Sequence, residues 1–171
     1  MKRCLIIVLM ILISVEGFTQ DSASTNLTIE LQSIQSIKIN EQQQNVALSL
    51  KTITDYMEGG ENMQPDHVEV MSNIKYEVRV MAQSHLLSNQ ESIDISHLKI
   101  QPSEGTMGNS SEAIQFIPVQ LSLNDNQLLK SQKGDLKRTV SMMYKLNSSD
   151  DLFDKPTGNY TTVITYTILS L

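Results

Sequence analysis

The sequence predicts an all-β fold, an immunoglobulin-like antiparallel β-sandwich of about seven to nine strands. Three observations support this expectation: apolar residues recur at every second position in many short runs, turn-forming clusters separate the runs, and helical stretches of any length are hard to find. The chain has 171 residues, which suits one domain with a core of its own. We therefore predict a leader at residues 1–19 and a single sandwich domain at residues 20–171.

The predicted leader has the features of a secretory signal peptide. Lys2 and Arg3 precede an uninterrupted apolar run at residues 5–13, and the small residues Gly17 and Thr19 fit the small-x-small cleavage rule. The apolar run is shorter than the ~20 residues that span a bilayer, which disfavours an uncleaved membrane anchor. We predict cleavage after Thr19, with a later site at Ala23 as the alternative. We also predict no membrane span in the mature chain and a secreted protein that is periplasmic or at the cell surface.

Cysteine and charge content exclude several classes of protein. Cys4 is the only cysteine and leaves with the leader, so the mature chain has no thiol nucleophile, cysteine zinc site or disulfide. The 13 basic and 19 acidic residues fall to 11 and 18 when Lys2, Arg3 and Glu16 are removed, a formal charge of -7. Because such a surface repels phosphate backbones and anionic headgroups, we predict no nucleic-acid partner.

The N-terminal half contains five alternating runs that we predict to be strands, after a polar lead-in at residues 20–26. The clearest places Ile74, Tyr76, Val78, Val80 and Ala82 on one face and Lys75, Glu77, Arg79 and Met81 on the other, as in a half-buried strand. The other runs are Leu27, Ile29 and Leu31; Ile37 and Ile39; Val46, Leu48 and Leu50; and Val68 and Val70.

The C-terminal half adds four runs with the same period. Pro118 falls inside the second of them and marks an edge strand, a strand start or a bulge, and Arg138 interrupts the inward series of the third. The four runs are Ile93, Ile95, Leu98 and Ile100; Ile117, Val119, Leu121 and Leu123; Leu136, Val140, Met142, Tyr144 and Leu146; and Tyr160, Thr162, Ile164, Tyr166 and Ile168.

Clusters rich in Gly, Pro, Asn, Asp and Ser separate these runs and predict turns. They lie at residues 58–62, 102–112, 123–127, 132–134 and 147–159. Residues 52–57 and 126–131 could each form one helical turn. No internal repeat, linker or second domain is evident.

The last run follows a partial tyrosine-corner motif. In PTGNY, Gly158 stands two residues before Tyr160, as in corners whose tyrosine hydroxyl bonds to upstream backbone. Pro156 occupies the first position of the motif, where aspartate is usual, and no cysteine follows. Tyr160 is either such a corner or a core aromatic after a turn.

The leader, the block HVEVMSNIKYEVRVMAQ and the closing P-x-G-x-Y-x-x-x-(V/I)-x-Y-T-(I/L) strand together resemble small exported sandwiches of the spore coat protein U and fimbrial-subunit type. The pattern is also similar to the surface domains known as WxL, although no Trp-x-Leu occurs. The resemblance implies an immunoglobulin-like sandwich at the cell surface that acts in coats, fibres or adhesion without chemistry.

Fimbrial subunits often lack the last strand of the sandwich and borrow one from a neighbour. If Tyr160 opens the sixth strand, the chain stops one strand short, and residues 27–31 would be the donated strand. In the alternative that we favour, Leu27, Ile29 and Leu31 form the first strand of their own sheet. We therefore expect protein partners, with self-assembly by strand donation as one form of partnership.

The motifs that carry chemistry are absent, so we predict no catalytic residue, no cofactor and no metal site. There is no G-x-S-x-G, S-x-x-K or Gly-rich phosphate loop. His67, His85 and His97 lack the pairing of zinc ligands, so we expect each at the surface or a loop edge, with His67 the nearest to a ligand.

Three other features each have a structural and a functional interpretation. The acidic residues Asp150, Asp151 and Asp154 suggest a solvated turn rather than a calcium loop, whose spacing they do not match. Tyr56 is expected to be a buried strand-end aromatic rather than a sugar platform. Sequons at Asn26, Asn109, Asn147 and Asn159 would be glycosylated only in a eukaryotic secretory pathway.

These observations predict a non-enzymatic exported structural or adhesive protein of the cell envelope or surface. The alternative is a periplasmic or extracellular module that binds a carbohydrate, peptide or metal in its loops. A fold prediction alone does not choose between them.

Overall fold

Two antiparallel sheets packed face to face form the fold, as the alternating pattern predicts. This computed structural model describes residues 21–89, 91–108 and 114–171, so the predicted leader at residues 1–19 lies outside the described residues. The strands are β1 (Gln35–Ile39), β2 (Gly60–Ser72), β3 (Tyr76–Ala82), β4 (Leu86–Ser88), β5 (Glu91–Ile93), β6 (Leu98–Glu104), β7 (Ile114–Phe116), β8 (Val119–Gln120), β9 (Asn126–Ser131), β10 (Asp135–Leu146) and β11 (Ile164–Ser170). The helices are α1 (Ile53–Glu58) and α2 (Asp150–Phe153), with 3-10 turns at Glu41–Gln43 and Ile95–His97.

The strand order confirms the predicted immunoglobulin-like sandwich, although the described residues form eleven strands where about seven to nine were predicted. Sheet A has the order β1-β2-β10-β6-β8 and sheet B the order β11-β3-β9-β7, while β4 and β5 form a separate hairpin. The run β1-β2-β10-β6 corresponds to strands A-B-E-D of the constant-type immunoglobulin sheet, and the pair β3 and β11 to strands C and F. Residues 32–171 form one compact unit, and residues 21–31 belong to a separate one.

The core lies between the inner faces of the two sheets and consists of the residues that the alternation places inward. Val68 and Val70 of β2, Val78 and Val80 of β3, and Val140 and Met142 of β10 have no solvent exposure. Burying an aliphatic side chain of this size stabilises a fold by about 1.5–3 kcal/mol. The inward period therefore supplies the driving force for stacking the sheets.

An irregularity in β2 changes which side chains reach the core. Gln64 pairs with Met142 and Val68 with Val140, so Pro65, Asp66 and His67 stand opposite Ser141 alone. Asp66 has a φ of 49°, a left-handed conformation that Asp tolerates better than most residues. Its carboxylate accepts hydrogen bonds from the backbone N–H (2.7 Å) and hydroxyl (2.8 Å) of Thr106. This bulge turns His67 into the interior.

Three predicted strands or faces are wrong. Residues 21–34 contain no strand, so Leu27, Ile29 and Leu31 do not form the first strand of a sheet within the described chain. Residues 45–50 also lack a strand, although Val46, Leu48 and Leu50 pack against the core as the alternation implies. Leu136, predicted to face inward, is 81% exposed because the ladder shifts between Asp135 and Arg138.

Two turn predictions and one helical prediction are also wrong, because pairing overrides local preference. Residues 60–62, expected in a turn, begin β2 and pair with β10, and Pro102, expected to open a turn, lies within β6 opposite Met142. Residues 126–131 form β9 rather than a helical turn, since Leu128 and Leu129 are fully buried between β3 and β7.

The predicted helical turn at residues 52–57 is confirmed by α1. Thr52 caps this helix by accepting a hydrogen bond from the Asp55 backbone N–H (3.2 Å), and the Asp55 carboxylate accepts one from the Thr52 N–H (2.8 Å). Gly59 ends it with a φ of 85°. A Cβ at Gly59 would meet the Leu146 carbonyl oxygen, so only glycine fits where α1 turns into β2.

The interruption at Arg138 is a buried ionic cluster. Arg138 is fully buried and donates to the Asp135 carboxylate from Nε (2.9 Å) and Nη2 (3.1 Å). The Tyr76 hydroxyl donates to the same carboxylate at 2.8 Å. Burial and the neighbouring Asp135 raise the pKa of Tyr76, so this hydroxyl stays a donor. The cluster ties β3 of sheet B to β10 of sheet A.

We predict that Asp135→Ala lowers the free energy of unfolding by about 3–5 kcal/mol, because it leaves the Arg138 guanidinium buried without its bidentate partner. The measurement is urea denaturation. Lys137→Ala is the matched control, since the exposed pair Lys137–Glu69 contributes at most about 1 kcal/mol. Equal losses in the two variants would contradict the prediction.

Candidate functional site: the open edge of β11

The edge strand β11 presents unpaired backbone groups along its length. It pairs on one side with β3, and in the described part of the chain no strand pairs with its other side. The Gln83 N–H donates to the Val163 carbonyl and the Leu171 N–H to the Lys75 carbonyl. Because bonded and non-bonded positions alternate in an antiparallel ladder, the backbone groups of the even residues point away from β3. These residues are Ile164, Tyr166, Ile168 and Ser170.

This edge lacks the features that usually prevent strand pairing. Residues 164–170, ITYTILS, contain no charge and no proline, whereas natural edges are short, charged or interrupted by proline. The opposite side of the sandwich has such protection. There β7 and β8 have three and two residues. Pro118 directly precedes the edge strand β8, and a strand start is one of the positions that the sequence predicted for it.

Next to β11 lies β1, the edge strand of sheet A, so the two sheets meet along a seam. Ile37 and Ile39 of β1 and Tyr166 and Ile168 of β11 pack against the core but remain only half-buried. A constant-type immunoglobulin domain has strand G at this position, paired with strand F. In the residues that the structure describes, the position beside β11 holds no strand.

A polar network lies beneath the seam and was not predicted. The Tyr144 Oη atom is 2.6 Å from Tyr166 Oη and 2.8 Å from His67 Nε2. His67 Nδ1 is 3.1 Å from Gln43 Oε1, and Gln43 Nε2 donates to the Pro65 carbonyl (2.9 Å). With Gln43 oriented this way, Nδ1 of a neutral His67 donates to Gln43, and Nε2 accepts from Tyr144.

Burial shifts the pKa of each titratable group in this network. It lowers the pKa of His67 from its ordinary value of 6.5, because the charged imidazolium loses hydration in the interior. It raises the pKa of Tyr144 to about 12 and that of Tyr166 well above its usual range. All three groups are therefore neutral near pH 7, and the network joins β2 and β10 of sheet A to the open strand β11.

The predicted surface position of the histidines is wrong for His67 and correct for His85. His67 is 3% exposed because of the Pro65–Asp66 bulge, and a Pro-Asp pair inside an alternating run is the sequence signal that could have revealed it. His85 is in a turn beside Asp94, and His97 ends a 3-10 turn 3.5 Å from an Asp151 oxygen. The described residues contain no cluster of potential metal ligands.

The structure places three further features for which the sequence left alternatives open. Asp150, Asp151 and Asp154 are exposed around α2, as a solvated turn requires. Tyr56 is half-buried in α1, with its ring 5.3 Å from that of Phe153, so it is a helix aromatic and not a strand end. The Tyr160 hydroxyl donates to the Pro156 carbonyl at 2.9 Å, which confirms the tyrosine corner, although β11 begins only at Ile164.

The segment at residues 21–31 has apolar residues at alternate positions but forms no strand. Leu27, Ile29 and Leu31 are 84%, 74% and 88% exposed, and their segment has no regular secondary structure. Three large aliphatic side chains in alternate positions are what one face of a strand needs.

The fold is an antiparallel β-sandwich in which β11 forms a long, uncharged sheet edge. Comparison with known proteins finds no match, either to a protein-family model or to a curated protein. In the described part of the chain, no helix is both long and apolar enough to cross a membrane.

We predict that the free energy of unfolding falls as the pH drops from about 7.5 to about 5, because the unfolded chain binds a proton at His67 that the folded chain resists. Full stability is expected above the ordinary pKa of 6.5. Asp66, whose pKa is lowered by hydrogen bonds from Thr139 and Thr106, loses its contribution only below about pH 4. The measurement is urea denaturation across this range.

His67→Gln is expected to flatten this pH dependence, whatever its constant effect on stability. The control is His85→Gln, which changes a histidine outside the buried network. A slope that survives His67→Gln unchanged would show that another group is responsible.

Proposed function

We propose that this protein is a non-enzymatic, exported structural or adhesive subunit of the cell envelope or exterior. Its copies associate by strand donation, in which residues 27–31 of one copy pair with the open edge of β11 in the next. Export rests on the predicted leader, and the coat-like or fimbria-like role rests on the sequence resemblance. The association rests on the geometry of β11.

The observation that carries the proposal is the uncharged seven-residue edge of β11 with its outward backbone groups beside a half-buried apolar seam. Main-chain hydrogen bonds from an added strand supply affinity, and pockets for alternate side chains supply specificity. Here Ile37, Ile39, Tyr166 and Ile168 line the seam. A strand laid beside β11 would cover these residues.

The segment at residues 21–31 has the composition and the length of such a strand. It has more residues than β11, so it can follow the whole edge, and its alternate residues Leu27, Ile29 and Leu31 are apolar. In strand addition these three side chains would enter the seam, while Thr28 and Glu30 would face solvent.

The donor and the acceptor are different surfaces of the chain. A contact of this kind is heterologous, and repetition of a heterologous contact produces an open filament unless its rotation closes a ring. Association by strand donation therefore favours fibres or coats over closed dimers, in agreement with the structural role that we propose.

We predict that Leu27→Asp/Ile29→Asp weakens self-association at least about a hundredfold, because each buried aliphatic side chain contributes about 1.5–3 kcal/mol. The control is Asn26→Asp/Thr28→Asp, which adds the same charge on the opposite face and should assemble like the unchanged chain. Sedimentation velocity over a concentration series measures the effect. Equal behaviour of the two double variants, or a chain that stays monomeric throughout, would reject strand donation.

We also predict that a synthetic peptide of residues 22–32 binds the Leu27→Asp/Ile29→Asp chain. Binding should slow hydrogen exchange at Ile164, Tyr166, Ile168 and Ser170, whose amides point outward, and leave the exchange of Thr165 and Thr167 almost unchanged. NMR exchange rates with and without peptide measure this alternation. Uniform protection, or protection elsewhere, would place the binding surface away from β11.

A further inference from the structure

The Asn73 side chain binds the backbone of Gln32 and Ile34, directly after the segment at residues 21–31. Asn73 Oδ1 accepts a hydrogen bond from the Ile34 N–H (2.8 Å), and Asn73 Nδ2 donates to the Gln32 carbonyl (2.7 Å). The Asn73 backbone N–H also donates to the Ile34 carbonyl (3.2 Å). We call this set of contacts the Asn73 clamp.

The clamp extends the edge pairing of β1 beyond the end of its partner strand. The ladder between β1 and β2 ends at Gln35 and Ser72. One residue further, Ile34 is opposite Asn73: the Asn73 N–H donates to the Ile34 carbonyl, and the Ile34 N–H donates to Asn73 Oδ1 in place of the Asn73 backbone carbonyl, the exchange of a bonded antiparallel pair. Although β1 itself begins at Gln35, Asn73 thus holds Ile34 in the register of β1 and, through Nδ2, also binds the Gln32 carbonyl.

The Asn73 clamp lies near one end of the open edge of β11 in the same chain. Gln35 pairs with Ser72, and the Leu171 N–H donates to the Lys75 carbonyl (3.1 Å), so the start of β1 and the end of β11 flank the same β2–β3 turn. A tethered segment has an effective concentration in the millimolar range for a nearby site. Without a restraint, closure onto its own β11 would compete strongly with donation to another copy.

The clamp limits which residues could pair with β11 of the same chain, an arrangement that we call self-closure. If residues 32–34 formed the reverse turn, residues 25–31 could lie along β11 and bury Leu27, Ile29 and Leu31. With residues 32–34 held in line with β1, a turn of about four residues must use residues 28–31. Of the described residues, DSASTNL at residues 21–27 then remains for pairing, and Leu27 is the one large apolar residue in this stretch.

We propose that Asn73 is a positioning residue that disfavours self-closure and so directs the segment at residues 21–31 to a second copy of the chain. The identity of the partner rests on the proposed strand donation, whereas the restraint on self-closure does not depend on it. Asn73 acts through the backbone of Gln32 and Ile34 and takes no part in the pairing itself.

The experiment compares Asn73→Ala with Asn62→Ala in the full chain. Asn62 is the matched control because its Nδ2 also donates to a backbone carbonyl of a neighbouring segment, that of Ala47, at 2.8 Å. Asn73→Asp, which retains the acceptor for Ile34 and loses the donor to Gln32, should be intermediate. The readouts are sedimentation velocity and, at concentrations where the protein is monomeric, amide exchange of β11.

In dilute monomer, Asn73→Ala should slow exchange of the outward amides of Tyr166 and Ile168 at least tenfold relative to the unchanged chain and to Asn62→Ala. Adding Leu27→Asp/Ile29→Asp to Asn73→Ala should remove this protection. At higher concentration, Asn73→Ala should raise the concentration for half-assembly at least tenfold, while Asn62→Ala should not.

Wild-type exchange and assembly in Asn73→Ala would overturn the inference. Reduced assembly without slower exchange would overturn it too, as would protection that persists after the Leu27→Asp/Ile29→Asp change. If the unchanged chain never assembles, the proposed function fails, and the exchange comparison in dilute monomer still decides whether the clamp prevents self-closure.

Discussion

The unpaired backbone groups along one side of β11 set the main constraint on this protein. Backbone N–H and C=O groups need partners, and at a sheet edge only water or another strand can provide them. On the opposite side of the sandwich, strands of two or three residues and Pro118 limit this exposure. At β11 the edge is long, uncharged and adjacent to half-buried apolar side chains, so pairing with an added strand both satisfies the backbone and completes the core.

The interior beneath this edge is also unusual, because it is held by polar contacts. Tyr144 bridges Tyr166 of sheet B to His67 of sheet A, and three fully connected polar side chains define one arrangement where apolar packing would allow several. The second polar cluster, Arg138 with Asp135 and Tyr76, joins the sheets through β10 and β3. The strand that carries the open edge is therefore anchored from within before any partner covers it.

Period-two patterning predicted most of the fold, since Val78, Val80, Val140 and Met142 lie where alternation places them. It failed where a single irregularity changes the phase: the bulge at Asp66 buries His67, and the shift after Asp135 exposes Leu136. Local composition failed at residues 126–131, because burial of Leu128 and Leu129 between two strands outweighs a weak helical preference. Of the site, the tyrosine corner at Tyr160 was visible in PTGNY, whereas the polar network depends on contacts between distant residues.

The same alternation has three different outcomes in this chain, and the difference lies in the available partner. Tyr166 and Ile168 alternate within a strand paired to β3. Leu48 and Leu50 pack against the core without joining a ladder, held beside β2 by the Asn62–Ala47 hydrogen bond. Residues 27–31 alternate equally well, yet the described chain provides them with no ladder. Alternation specifies an extended segment with one apolar face, and a neighbouring edge decides whether it becomes a strand. For residues 27–31, the open edge of β11 is long and uncharged enough to serve as that neighbour, and the clamp proposed at Asn73 would favour pairing with a second copy over pairing within one chain.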